Sequence, residues 1–150
     1  MKKYLIILFL FSMGACLAQD VVLKDSVYYK KGKLFSGYFV EKYESGAVKA
    51  EMKLRKGRVD GICTEYYESG KKKEEKSYKA GRKDGTWISW DEKGNRIAEA
   101  RYKSDLKDGN WYIWDANGNK RYEMFYEGGI KKGTWIMWDE KGQILMQKSY

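Results

Sequence analysis

The stretch Asp84-Gly85-Thr86-Trp87-Ile88-Ser89-Trp90-Asp91-Glu92-Lys93-Gly94-Asn95 decides how the chain reads. A glycine opens a run dominated by β-branched and aromatic side chains, and Asp91 then begins a turn that contains Gly94. That order predicts a strand followed by a type I turn that ends in a glycine at positive φ. Asn95 to Tyr102 read as the returning strand, and no sustained helical period competes with this hairpin.

The same unit recurs along the chain. Gly37, Gly61, Gly85, Gly109 and Gly133 are spaced at 24 residues, as are Gly46, Gly70, Gly94, Gly118 and Gly142. Two more columns keep the period: Leu54, Tyr78, Tyr102, Tyr126 and Tyr150, then Glu51, Glu75, Glu99, Glu123 and Gln147. All six Trp fall in a Gly-x-Trp-x-x-Trp motif, at Trp87/Trp90, Trp111/Trp114 and Trp135/Trp138. Several independent columns at one period are the signature of a repeat architecture. The predicted fold is all-β, an antiparallel β-meander of about ten strands built from five 24-residue β-hairpin repeats. The repeats cover residues 37–60, 61–84, 85–108, 109–132 and 133–150, with residues 19–36 as a capping strand and linker.

Turn geometry also predicts a register. Pairing Asp91 with Asn95 sets Trp90 opposite Arg96 and Trp87 opposite Glu99. Strand alternation then places Ile88, Trp90, Ala98, Ala100 and Tyr102 on one face, with Trp114, Tyr126, Trp138 and Tyr150 at equivalent positions. This more apolar face is the expected core. The candidate binding stripe lies on the other face: Trp87, Trp111 and Trp135 beside Glu99, Arg101, Arg121 and Glu123. Trp and Arg recur among interface hot spots, and indoles also stack on sugars. Hairpin tips such as Asp91-Glu92 are mainly acidic, and inter-repeat loops such as Lys79 to Asp84 are mainly basic.

Composition narrows the chemistry. Aromatics make up 16% of the 150 residues, against the aromatic-poor make-up of disordered chains, and the length suits one domain. The absence of His removes the commonest general base and the usual metal ligand. The Glu column is the candidate for acid–base work, but its members stand two strands apart, roughly 10 Å, too far to share a proton. A Glu ladder paired across strands with Lys or Arg is the expected role. Cys63 has no His partner and reads as a small apolar filler. No phosphate-cradling loop, zinc spacing or EF-hand loop is present, so the expected protein is not an enzyme and holds no cofactor or metal.

The first residues read as an address. Lys2 and Lys3 precede the apolar run Tyr4 to Phe11, and small residues fill Ser12 to Ala18. Residues 1–18 are therefore expected to be a signal peptide cut after Ala18, which sends the chain to the periplasm or outside the cell. Met13-Gly14-Ala15-Cys16 offers the alternative of a lipoprotein anchored through Cys16. Once Cys16 leaves with the leader, Cys63 stands alone and no internal disulfide can form.

The segment from Asp84 to Asn95, with Glu99 and Tyr102, resembles the MORN repeat variant, the family often called YwqK-type antitoxin in bacteria. The likeness runs from Gly37 to Tyr150 and is tightest in repeats three to five; repeat two has Cys63 where later repeats have Trp. The resemblance implies a scaffold for binding a protein or membrane. Its antitoxin label implies a cytoplasmic partner, which conflicts with the leader. The expected partner is therefore a protein of the bacterial envelope, with a polysaccharide or anionic membrane surface as the alternative. Export argues against nucleic acid despite a net charge of +9.

Overall fold

The protein is described by a computed structural model covering residues 21–150. The expected leader and its cleavage sites lie outside the described residues. Within them every regular element is a strand. Three short strands come first: β1 (Val21–Lys24), β2 (Val27–Lys30) and β3 (Lys33–Leu34). They form a small antiparallel sheet where a single capping strand and linker were expected.

The repeats follow as β4 (Gly37–Lys42), β5 (Val48–Arg55), β6 (Arg58–Tyr66), β7 (Lys72–Lys79) and β8 (Arg82–Trp90). Next are β9 (Arg96–Lys103), β10 (Leu106–Lys107), β11 (Gly109–Trp114), β12 (Lys120–Glu127), β13 (Ile130–Trp138) and β14 (Ile144–Ser149). Ten of these lie side by side in chain order, and the short β10 pairs with β9. The expected meander is what forms.

Hairpin tips have the geometry the sequence predicts. Asp91 N–H donates to Asn95 O and Gly94 N–H to Asp91 O, both at 2.9 Å. The Asp91 carboxylate accepts from Asn95 N–H at 2.8 Å, and Asp115 and Asp139 repeat the contact with Asn119 and Gln143. Partial desolvation raises the Asp91 pKa, but these hydrogen bonds outweigh it and hold the carboxyl below its ordinary range.

The opposite ends differ from expectation. The basic stretches read as loops are strand almost throughout, joined by two-residue turns at Lys56-Gly57, Ala80-Gly81, Ser104-Asp105 and Gly128-Gly129. Both residues of each turn have positive φ, the conformation whose twist matches a hairpin. Gly57 has a second reason to be glycine, since a Cβ there would come within 2.5 Å of Val27 Cγ1. Each later turn is tied to the preceding repeat by a carboxylate: Asp60 accepts from Ala80 N–H, Asp84 from Ser104 N–H and Asp108 from Gly128 N–H.

Two irregularities recur, one within each hairpin and one between neighbouring repeats, and they decide the faces. Just inside the tip the register shifts by one, between Ser89 and Trp90 in the third repeat and at the same place in the other four. Trp90 still pairs with Arg96, but Ser89 pairs with Ala98, so Ile97 is the extra residue of a β-bulge. Trp87 consequently pairs with Ala100, and Ile88 pairs with Glu99. At the leading glycine, Lys76 pairs with Trp87 and Tyr78 with Lys83, so the segment around Gly85 bulges opposite Ser77. Gly85 has φ +102°, and a Cβ on it would sit 3.0 Å from Ser77 Cβ.

The core is concentrated at the N-terminal end. Ala50, Met52, Leu54 and Cys63 are buried there, with Tyr28, Phe35, Phe39, Val59 and Tyr78 packed against them. Tyr28 of the small sheet lies 5.3 Å from the Phe39 ring, so that sheet covers one face of the first two repeats. Desolvation by this packing pushes the Cys63 thiol up to about 11. Thiol reagents at neutral pH are expected to label Cys63 only after denaturation. Rapid labelling of the folded chain would contradict its burial.

Candidate functional site

The bulge beside each tip reverses the expected assignment of the two Trp columns. Trp87, Trp111 and Trp135 share a face with the Tyr column and stack with it continuously. Ring centroids are 5.3 Å apart for Tyr78–Trp87, 5.0 Å for Trp87–Tyr102 and 5.2 Å for Tyr102–Trp111. The series continues at 5.5 Å for Trp111–Tyr126, 5.1 Å for Tyr126–Trp135 and 5.0 Å for Trp135–Tyr150. All the rings are tilted against one another, the favoured arrangement for aromatic quadrupoles. Each indole also spans the bulge at the leading glycine: Trp87, Trp111 and Trp135 Nε1–H donate to the carbonyls of Ser77, Arg101 and Phe125 at 3.0–3.1 Å.

The proposed stripe is therefore not brought together. Glu99, Arg101 and Glu123 lie on the face opposite Trp87, Trp111 and Trp135, because one extra residue per hairpin inverts the alternation. Arg121 is itself the extra residue of its bulge, and its Nε–H donates to Trp138 O. Trp90, Trp114 and Trp138 stand on that opposite face near the tips. A cation of the preceding repeat lies over each: Lys72 at 5.9 Å, Arg96 at 5.8 Å and Lys120 at 5.8 Å. These cations also hold the Glu column, through Lys72–Glu75, Arg96–Glu99 and Lys120–Glu123 pairs at 2.8–2.9 Å within one strand. The expected cross-strand pairing of these three glutamates is replaced by pairing across the bulge.

A third column escaped the sequence reading. Lys83, Lys107 and Lys131 occupy one position of successive repeats and lie over the ladder. Lys83 Nζ sits 4.5 Å from the Trp87 centroid and 4.9 Å from Tyr102. Lys107 is 4.2 Å from Trp111 and 4.7 Å from Tyr126, and Lys131 is 4.4 Å from Trp135 and 4.9 Å from Tyr150. The same position is Phe35 just ahead of repeat one and Val59 at the end of repeat one, and both pack into the covered core. The 24-residue spacing of the lysines is visible in the sequence, but only the strand pairing around the two-residue turns places them over the ladder.

Between these rungs and the tips the ladder face changes character along the chain. In repeat two it holds Lys76, whose ammonium is bound by Glu65 and Glu74. Beyond it come Ser89 and Ala98, then Ile113 with Tyr122 and Met137 with Met146. Ile113, Tyr122 and Met146 are each 38% exposed, so the face grows more apolar from repeat three to repeat five. Among the described residues no cluster of His, Cys, Asp or Glu is placed to hold a metal ion.

These features define a single-chain array of stacked β-hairpins with one face covered at its N-terminal end and open beyond. The MORN repeat variant matches residues 59–80, 83–104 and 107–127, so these stretches are repeats of the MORN type. Repeats of this family serve in protein or membrane binding. None of the curated proteins compared with the chain matches it.

Proposed function

We propose that the protein is a binding scaffold that takes a protein partner of the bacterial envelope on the open part of its ladder face. One observation carries this reading. The chain covers the first two repeats of that face with its own small sheet, through Tyr28 on Phe39, but leaves Ile113, Tyr122 and Met146 exposed farther along. Apolar side chains grouped on one sheet face mark an interaction surface more often than a solvated one. The envelope location rests on the basic–apolar–small order of residues 1–18.

Site-specific photocrosslinking in cells tests the proposal. A crosslinker at Ile113 should yield a protein adduct that one at Ile62, on the opposite face, does not. Adducts from Ile62 alone, or lipid and glycan adducts from Ile113, would overturn it.

A further inference from the structure

The lysine column specifies what kind of polypeptide the open face suits. Among the described residues none of Lys83, Lys107 and Lys131 forms an ion pair, in contrast to Lys72, Lys76 and Lys120. Their ammonium groups are held over rings, which fixes their positions while leaving their charge uncompensated by any carboxylate. They stand in single file along one margin of the apolar strip that holds Ile113 and Tyr122. The opposite margin is the row of tips, with Asp91, Asp115 and Asp139. One margin thus attracts negative charge and the other repels it. A flat anionic surface would meet both margins at once, whereas one extended chain can follow the lysines alone.

Spacing refines the partner. Successive repeats are two strands apart, roughly 10 Å, and one three-residue turn of a polyproline II segment spans about 9 Å and returns its side chains to the same side. We propose, on the strength of the binding-scaffold reading above, that the ladder face takes an acidic segment of a protein partner in the polyproline II conformation. Its carboxylates recur at every third residue, one for each of Lys83, Lys107 and Lys131, and its intervening apolar side chains lie on Ile113, Tyr122 and Met137. The segment runs across the strands. The series stops at Lys83 because the preceding position is the core residue Val59, and Lys76 adds no unpaired cation since Glu65 and Glu74 bind it. The site therefore runs from Lys83, at the end of repeat two, into repeat five.

Fluorescence anisotropy with two labelled synthetic peptides tests this on the full chain. Both contain the same Glu, Ile and Ser residues, with Glu at every third position in one and at every second position in the other. The every-third peptide should bind roughly ten-fold more tightly, and its binding should weaken with salt. The combined Lys83→Gln, Lys107→Gln, Lys131→Gln variant should lose that preference. A variant with Lys79, Lys103 and Lys132 replaced by Gln removes equal charge from the same edge and should keep it. Equal binding of the two peptides, or equal damage from the two variants, overturns the spacing and leaves the scaffold reading standing. If neither peptide binds, and phosphatidylglycerol vesicles sediment the chain, both readings fail.

Discussion

Trp111→Ala is expected to destabilise the chain by about 3 kcal/mol or more, and Trp114→Ala by about 1–2 kcal/mol. Trp111 is a rung with a neighbour on each side, Tyr102 at 5.2 Å and Tyr126 at 5.5 Å. Its indole N–H also serves the Arg101 carbonyl opposite the bulge, and truncation leaves that group to water. Lys107, 4.2 Å from its centroid, loses its support too. Trp114 is half-buried near a tip, with Arg96 and Tyr112 as its ring neighbours, and truncation there opens no gap in the ladder. Urea denaturation of the two variants is the measurement. A larger loss at Trp114 would mean that the faces are reversed.

Deleting one complete unit, Gly109–Lys132, is expected to leave a folded β-rich chain of lower stability, whereas deleting half of it, Gly109–Lys120, should cause aggregation. The full deletion brings Trp135 to the place of Trp111 beside Tyr102, so the ladder closes again. Each hairpin is stabilised mainly by its neighbours, which makes the loss approximately that of one unit and one interface. The half deletion removes β11, so β12 must run in the wrong direction or leave the sheet, and its apolar side chains lose their face. Circular dichroism and light scattering distinguish the outcomes. Similar behaviour of the two deletions would contradict stacking by whole hairpins.

The period, the hairpin and the tip were legible in the sequence because each rests on local chemistry. Asp91 and Gly94 specify a turn within a few residues, and repetition at 24 makes the reading secure. The faces were not legible. Regular alternation from Asp91 gave two sets of residues that looked distinct, and nothing in the sequence marks Ile97 as an added residue. A bulge costs one ladder pairing and inverts everything beyond it, so a local irregularity moved three Trp to the other side. The inter-repeat turns were obscured for another reason. Ala80-Gly81 and Ser104-Asp105 are weaker signals than Asn-Gly, and the charged residues flanking them resemble loop. Without those turns the sequence gives no reason to place Lys83, Lys107 and Lys131 on strands, as the cationic margin of the ladder.

The charged residues of repeat two have a physical role on the ladder face. Glu74 pairs with Ser89 and Lys76 with Trp87, which puts two charged side chains on the ladder face. They form a closed ion triad with Glu65 at the boundary between the covered core and the open ladder, and Lys76 also lies 5.5 Å from the Trp87 ring.

Proton–proton contacts of the indole rings in a NOESY spectrum of the full chain test the ladder most directly. The Trp111 ring protons should show contacts to the rings of both Tyr102 and Tyr126, with Trp135 likewise joining Tyr126 to Tyr150. Contacts from Trp114 and Trp138 to those tyrosines, with none from Trp111 and Trp135, would contradict the bulged register and the binding face built on it.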